Sequence, residues 1–95
     1  MFTLIAKITI EKEHSDFVKS ELKKLIEPSR AKEGCISYKM FEDRKHQNIV
    51  FFVETWQNNE VFSKHMSSDL IANYSKITHG KVNNLELNKI DEITN

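Results

Sequence analysis

Residues 49–68 read Ile-Val-Phe-Phe-Val-Glu-Thr-Trp-Gln-Asn-Asn-Glu-Val-Phe-Ser-Lys-His-Met-Ser-Ser, and the change of period inside this stretch decides the fold. From Ile49 to Gln57 successive side chains alternate in direction. Ile49, Phe51, Val53 and Thr55 share one face of a strand, and Val50, Phe52, Glu54 and Trp56 share the other. Both faces are apolar for most of their length, which predicts a central strand covered on both sides. Glu54 is then a carboxylate aimed into a mostly apolar layer. After the polar break at Asn58 and Asn59 the period becomes helical, with Val61, Phe62, His65 and Met66 on one side of a short helix. An acid, an indole and an imidazole therefore come together along one short stretch. They suit small-molecule chemistry, and they equally suit a packed dimer core.

The flanking segments complete the pattern. Downstream, Ser67-Ser68-Asp69 reads as a cap for another helix through Leu70, Ile71, Tyr74 and Ile77, which Gly80 ends. Val82 to Ile90 alternates weakly and predicts a last strand. Upstream, Cys35 to Asp43 has period two and is joined to Ile49–Gln57 by the polar run ending at Asn48, as in an antiparallel hairpin. Before it lies a helix from about Ser15, with Val18, Leu22, Leu25 and Ile26 at i, i+4, i+7 and i+8. Pro28 is expected to kink or restart this helix, and Gly34 to stop it. Phe2 to Ile10 alternates as a first strand, with Ile5 on its otherwise polar face.

This βαββαβ order, its second helix broken, predicts a ferredoxin-like α+β domain spanning residues 1–95, with helices on one face of a four-stranded antiparallel sheet. Helices can cover only that face. The other face is left with Ile5, Phe52 and Trp56 or their alternates, an apolar area that calls for a second copy of the chain, with Lys7 at a pocket or interface edge.

Composition narrows the functional classes. Hydrophobic residues make up 39% and charged residues 29% of the 95, the formal net charge is zero, and the charges are interspersed. Neither nucleic acid nor a membrane surface is an expected partner. A lone cysteine, Cys35, gives no disulfide framework, and no signal peptide or membrane-length apolar run is visible, so the expected location is cytoplasmic. His14, His46, His65 and His79 lack metal-ligand spacing and there is no glycine-rich phosphate loop, so neither metal nor cofactor is expected.

The run Pro28-Ser29-Arg30-Ala31-Lys32-Glu33-Gly34-Cys35-Ile36-Ser37-Tyr38, then Val53-Glu54-Thr55-Trp56, then Phe62-Ser63-Lys64-His65-Met66, resembles the antibiotic biosynthesis monooxygenase family. The resemblance implies a homodimeric α+β barrel in which two ferredoxin-like subunits place their sheets face to face, with a pocket between sheet and helices. Members of that family include enzymes that oxidise quinols and polycyclic phenols with molecular oxygen, without metal or flavin. Others isomerise or degrade small phosphorylated signals, some degrade haem, and many have no assigned activity. The haem-degrading pattern fits poorly, because the first strand offers Lys7 and no asparagine.

The resemblance implies a cofactor-independent oxidation of a small quinol or phenol, with an isomerase, a degrader of a small carbonyl signal or a non-catalytic ligand-binding dimer as alternatives. His65 is the candidate base and Glu54 its orienting acid. An imidazole near pKa 6.5 facing a phenol near 10 leaves a gap of about 3.5 units, roughly 5 kcal/mol, which the site would have to offset. Trp56 is the candidate wall for an aromatic substrate. Tyr74, Tyr38 and Lys7 are further candidate contacts, with Tyr38 expected chiefly at the subunit interface. Cys35 reads as a packed thiol.

Overall fold

Alternation shapes the first strand, β1 (Phe2–Ile10), whose Leu4, Ala6, Ile8 and Ile10 are buried while Thr3, Ile5, Lys7 and Thr9 are half-buried. In the computed structural model, which describes residues 1–94, it pairs with β3 (Ile49–Trp56) on one side and β4 (Val82–Ile90) on the other. β2 (Cys35–Glu42) completes a sheet of order β2-β3-β1-β4, antiparallel at every pairing. This is the expected ferredoxin-like arrangement, with β3 central. Phe2 stands opposite Trp56, Leu4 opposite Glu54 and Ala6 opposite Phe52, so these residues share one face.

Four helices, α1 (Ser15–Lys23), α2 (Ile26–Arg30), α3 (Asn59–Met66) and α4 (Asp69–Ile77), follow the strands in the predicted places. The break in the first helical region falls at Lys24 and Leu25, not at Pro28 itself. A proline ring clashes with the carbonyl four residues earlier, here that of Lys24. The chain yields there, and Pro28 then sits in the first turn of α2, where a missing N–H goes unneeded. Asn58 Oδ1 accepts from Val61 N at 3.0 Å to cap α3, and the Ser68 hydroxyl caps α4.

Val18, Leu22 and Phe62 from the helices, with Leu25 from the break between α1 and α2, pack against Leu4, Ala6, Ile8, Val50, Phe52 and Trp56 of the sheet. The molecule measures 41 × 34 × 18 Å. Its least dimension holds one sheet and one helical layer, the helix alone being about 10 Å across. The second sheet face is therefore bare in the single chain. It carries Ile5, Phe51 and Val53, half-buried, and Phe41, 49% exposed, whereas Phe52 and Trp56 lie under the helices. Within the single chain β3 is thus sealed on one face by the helices, and its other face is the one for which the sequence calls for a second copy. Leu85 and Leu87 pair with Ile8 and Ala6 and so belong to the helix side, yet both remain exposed because β4 is an edge strand beyond the helices' reach. Met66, expected on the inner side of α3, also faces outward. Among the described residues no helix is long and apolar enough to cross a membrane.

Candidate functional site

Two positions apart on β3, Glu54 and Trp56 project to the same side, and the buried face of α3 lowers His65 onto them. Trp56 is wholly enclosed, His65 is 2% exposed and Glu54 5%. Trp56 Nε1 donates to Glu54 Oε1 at 2.9 Å. The imidazole lies against the indole with ring centroids 4.7 Å apart and planes 32° from parallel. Tyr38 meets His65 and Trp56 edge-on at 5.7 and 6.5 Å, and Phe62 packs against the indole at 6.0 Å with the rings tilted.

The three residues singled out in the sequence do assemble, but not in the expected pairing. Glu54 holds the indole, not the imidazole. Neighbours at i and i+2 on one strand face meet directly, and the ring from α3 arrives on top of them. Because the indole is enclosed and covered by the imidazole, Trp56 offers no free flat wall to a ligand.

The imidazole's partner is Lys32, from the turn between α2 and β2. Its Nζ lies 2.9 Å from His65 Nδ1 and donates at 2.9 Å to Ser68 Oγ. Ser68 Oγ donates in turn to His65 O at 2.6 Å, which ties the α3–α4 corner to the cation. With Lys32 charged, its ammonium can only donate, which makes Nδ1 the acceptor and puts the ring proton on Nε2. Lys32 and His65 open with Glu33, Gln57, Asn58 and Val61 onto a cleft of ≈ 430 Å³.

Charges in this cluster are shifted by burial. Desolvation, helped by the nearby Lys32 cation, pulls His65 down to about 4, so the ring is neutral at pH 7. Against a phenol near 10 the gap becomes about 6 units, roughly 8 kcal/mol, which works against His65 as a base. Burial lowers Lys32 and raises Glu54, the latter partly offset by the indole N–H. Burial, and then the Glu54 carboxylate, push the Tyr38 phenol well above its ordinary range. Cys35 is likewise raised by burial, which keeps it a thiol.

The remaining candidates scatter. Tyr38 is 3% exposed and packs inside, under the helices, because β2 pairs it with Glu54; it does not lie on the bare face expected to meet a second subunit. Tyr74 is half-buried on α4 and lines a separate cleft of ≈ 270 Å³ with Ile8, Thr78, Val82 and Leu85. Lys7 lies on the bare face between Phe51 and Glu86, with the sheet between it and His65. Among the described residues no three His, Cys, Asp or Glu side chains gather as a metal site. Lys32 and Ser68 are the members that sequence reasoning missed. Lys32 looks like one more charge at a helix end, and its only signal is its place two residues before the glycine that turns the chain into β2.

The fold and this cluster define a ferredoxin-like α+β domain with an acid, an indole and an imidazole locked beneath its helices. The sequence profile described as antibiotic biosynthesis monooxygenase matches residues 1–76. The chain belongs to that family. A crystal structure from Pseudomonas aeruginosa superposes with a TM-score of 0.92 at 26% identity, covering 98% of this chain and 94% of the other. One from Bacteroides thetaiotaomicron gives 0.84 at 27% identity, covering 94% of each. A structure named antibiotic biosynthesis monooxygenase gives 0.91 at 21% identity, covering 99% of this chain and all (100%) of the other, and shares the fold. An uncharacterized Synechocystis protein is 42% identical over 43 residues, which span 45% of this chain and 29% of that protein.

Proposed function

We propose that this chain is a monooxygenase-type enzyme that oxidises a small quinol or phenol with molecular oxygen and without a cofactor, working as a homodimer. The observation that carries the reading is the Lys32–His65–Ser68 cluster, which brings a buried neutral imidazole and a cation to the wall of a cleft wide enough for a small aromatic molecule. His65 is the catalytic group. Glu54 is a positioning residue that acts through Trp56, on which the imidazole rests. For a quinol the reaction balances as quinol plus O2 giving hydroxylated quinone plus water. One oxygen atom enters the ring, the other leaves as water, and the substrate supplies four electrons.

Oxygen uptake with a panel of reduced naphthoquinols, in the presence of a metal chelator, tests this. Wild type is expected to exceed autoxidation and to place labelled oxygen in the hydroxyquinone. His65→Ala is expected to lose about a hundredfold in kcat/KM, the scale of one lost transition-state donor, while its far-UV spectrum stays native. Uptake equal in both proteins, or formation only of unlabelled quinone and peroxide, would refute the oxygenase. Substrate conversion without oxygen uptake would assign an isomerase instead.

The dimer reading is supported by the bare sheet face with Ile5, Phe41, Phe51 and Val53. Val53→Lys places an ammonium at the middle of that face. It is expected to shift the protein from dimer to monomer in sedimentation velocity. A monomeric wild type, or an unchanged dimer in the variant, contradicts the sheet-to-sheet assembly.

A further inference from the structure

We infer that Lys32 and His65 act together as hydrogen-bond donors to an oxyanion, and that the substrate is an acidic phenol or enol taken up as its anion. The substrate class rests on the oxygenase reading; the anion site rests on the hydrogen bonds alone.

The Lys32 ammonium has three N–H groups and no lone pair. His65 Nδ1 and Ser68 Oγ engage two of them, each at 2.9 Å, which leaves one for a ligand, and Lys32 lines the cleft together with His65. Because Nδ1 accepts from the ammonium, it cannot also accept a substrate proton. Nε2 already bears the ring proton, so it cannot accept one either. What the pair offers is one cationic N–H and one neutral imidazole N–H, and both complement a negative oxygen. Neutrality of the ring at pH 7 is consistent with this.

The other charges around the cleft do not undo the arrangement. Glu60 is engaged by Lys64 at 3.7 Å, and Glu33 is exposed. Lys32 is the charge in direct contact with the imidazole. A cation within about 4–6 Å lowers the pKa of a carboxyl or phenol by roughly 1–3 units. The phenolic proton therefore leaves to water or buffer before or during binding, and the anion stays behind in the cleft. Lys32 is then a further catalytic residue. Ser68 is a positioning residue that fixes the ammonium through its hydroxyl.

A chromophoric phenol reads this without turnover. 4-Nitrophenol, whose anion is yellow, is titrated with pH in the presence of folded wild type, Lys32→Met, Lys32→Arg and His65→Gln. The bound probe is expected to ionise about one unit or more below the free probe in wild type. Lys32→Arg keeps that shift, Lys32→Met abolishes it, and His65→Gln, which retains a donor, keeps most of it. No binding to wild type, an unshifted or raised probe pKa, or an equal shift in Lys32→Met would overturn the inference. So would oxygen uptake that rises through an ionisation in the ordinary histidine range and loses that limb in His65→Gln, for His65 would then be a base. A shifted probe with no oxygen uptake would leave the anion site standing and remove only the oxygenase reading.

Discussion

Trp56→Ala is expected to unfold most of the protein at room temperature. The indole is the largest fully buried side chain, and removing such a ring costs about 3–5 kcal/mol in transfer and cavity terms. It also strips the buried Glu54 carboxyl of its N–H donor, a further penalty of about 1–3 kcal/mol. Together these approach the roughly 5–15 kcal/mol that a domain of this kind possesses. Trp56→Phe separates the two contributions, because it keeps an aromatic ring and loses only the donor. Urea denaturation of Trp56→Phe, Glu54→Leu and the double variant is expected to show coupling, with the double variant more stable than Trp56→Phe alone. Additive losses would mean that the acid–indole bond contributes nothing of its own.

This bond also shows what could be read from the chain and what could not. That Glu54 and Trp56 share a face follows from a period of two. That His65 turns inward follows from helical spacing beside Phe62. Both are local facts, and local facts survive folding. Which of the three binds which depends on the height at which α3 crosses the sheet, and no short-range pattern encodes that. The same reasoning explains the misplaced Tyr38, expected at an interface and found under the helices. Alternation assigns a residue to a face, but it does not say which face the helices choose. Lys32 was invisible for a stronger reason, since its partners His65 and Ser68 are 33 and 36 residues away. The identity of the bare face could be anticipated only as a surplus of apolar residues; its members, Phe51 and Val53 instead of Phe52 and Trp56, emerged with the packing.

Gly34→Ala is expected to be the second most damaging substitution, although it adds one methyl group. Gly34 has φ +84°, a left-handed conformation that glycine adopts freely and other residues adopt at a cost of about 1–3 kcal/mol. A Cβ there would stand 2.6 Å from Val61 Cγ2 and 2.8 Å from Val61 Cβ, inside any tolerable contact. Overpacking of this kind adds about 1–3 kcal/mol. Gly34 O also accepts from Gln57 N at 2.8 Å, so the turn cannot back away from α3 without breaking a hydrogen bond. A loss on the order of 2–6 kcal/mol in chemical denaturation is expected. Trimming the neighbour with Val61→Ala is expected to recover only a minor part, because its Cβ clashes too. A Gly34→Ala protein as stable as wild type would show that the turn relaxes freely.

The contacts that hold Lys32 also bear on the order of events when the chain folds. Helical turns and the β2–β3 hairpin close over short sequence distances and form early at low entropic cost. The Lys32 contacts close over more than thirty residues, and they require the strand, both helical regions and the α3–α4 corner to be in place first. The ammonium can therefore meet the imidazole only while the turn before β2, α3 and the α3–α4 corner are all in place, and the contact is lost when any one of them opens. Chemistry at this site is thus a readout of the whole native state: a partly folded chain with intact helices and hairpin has all of the residues and none of the site.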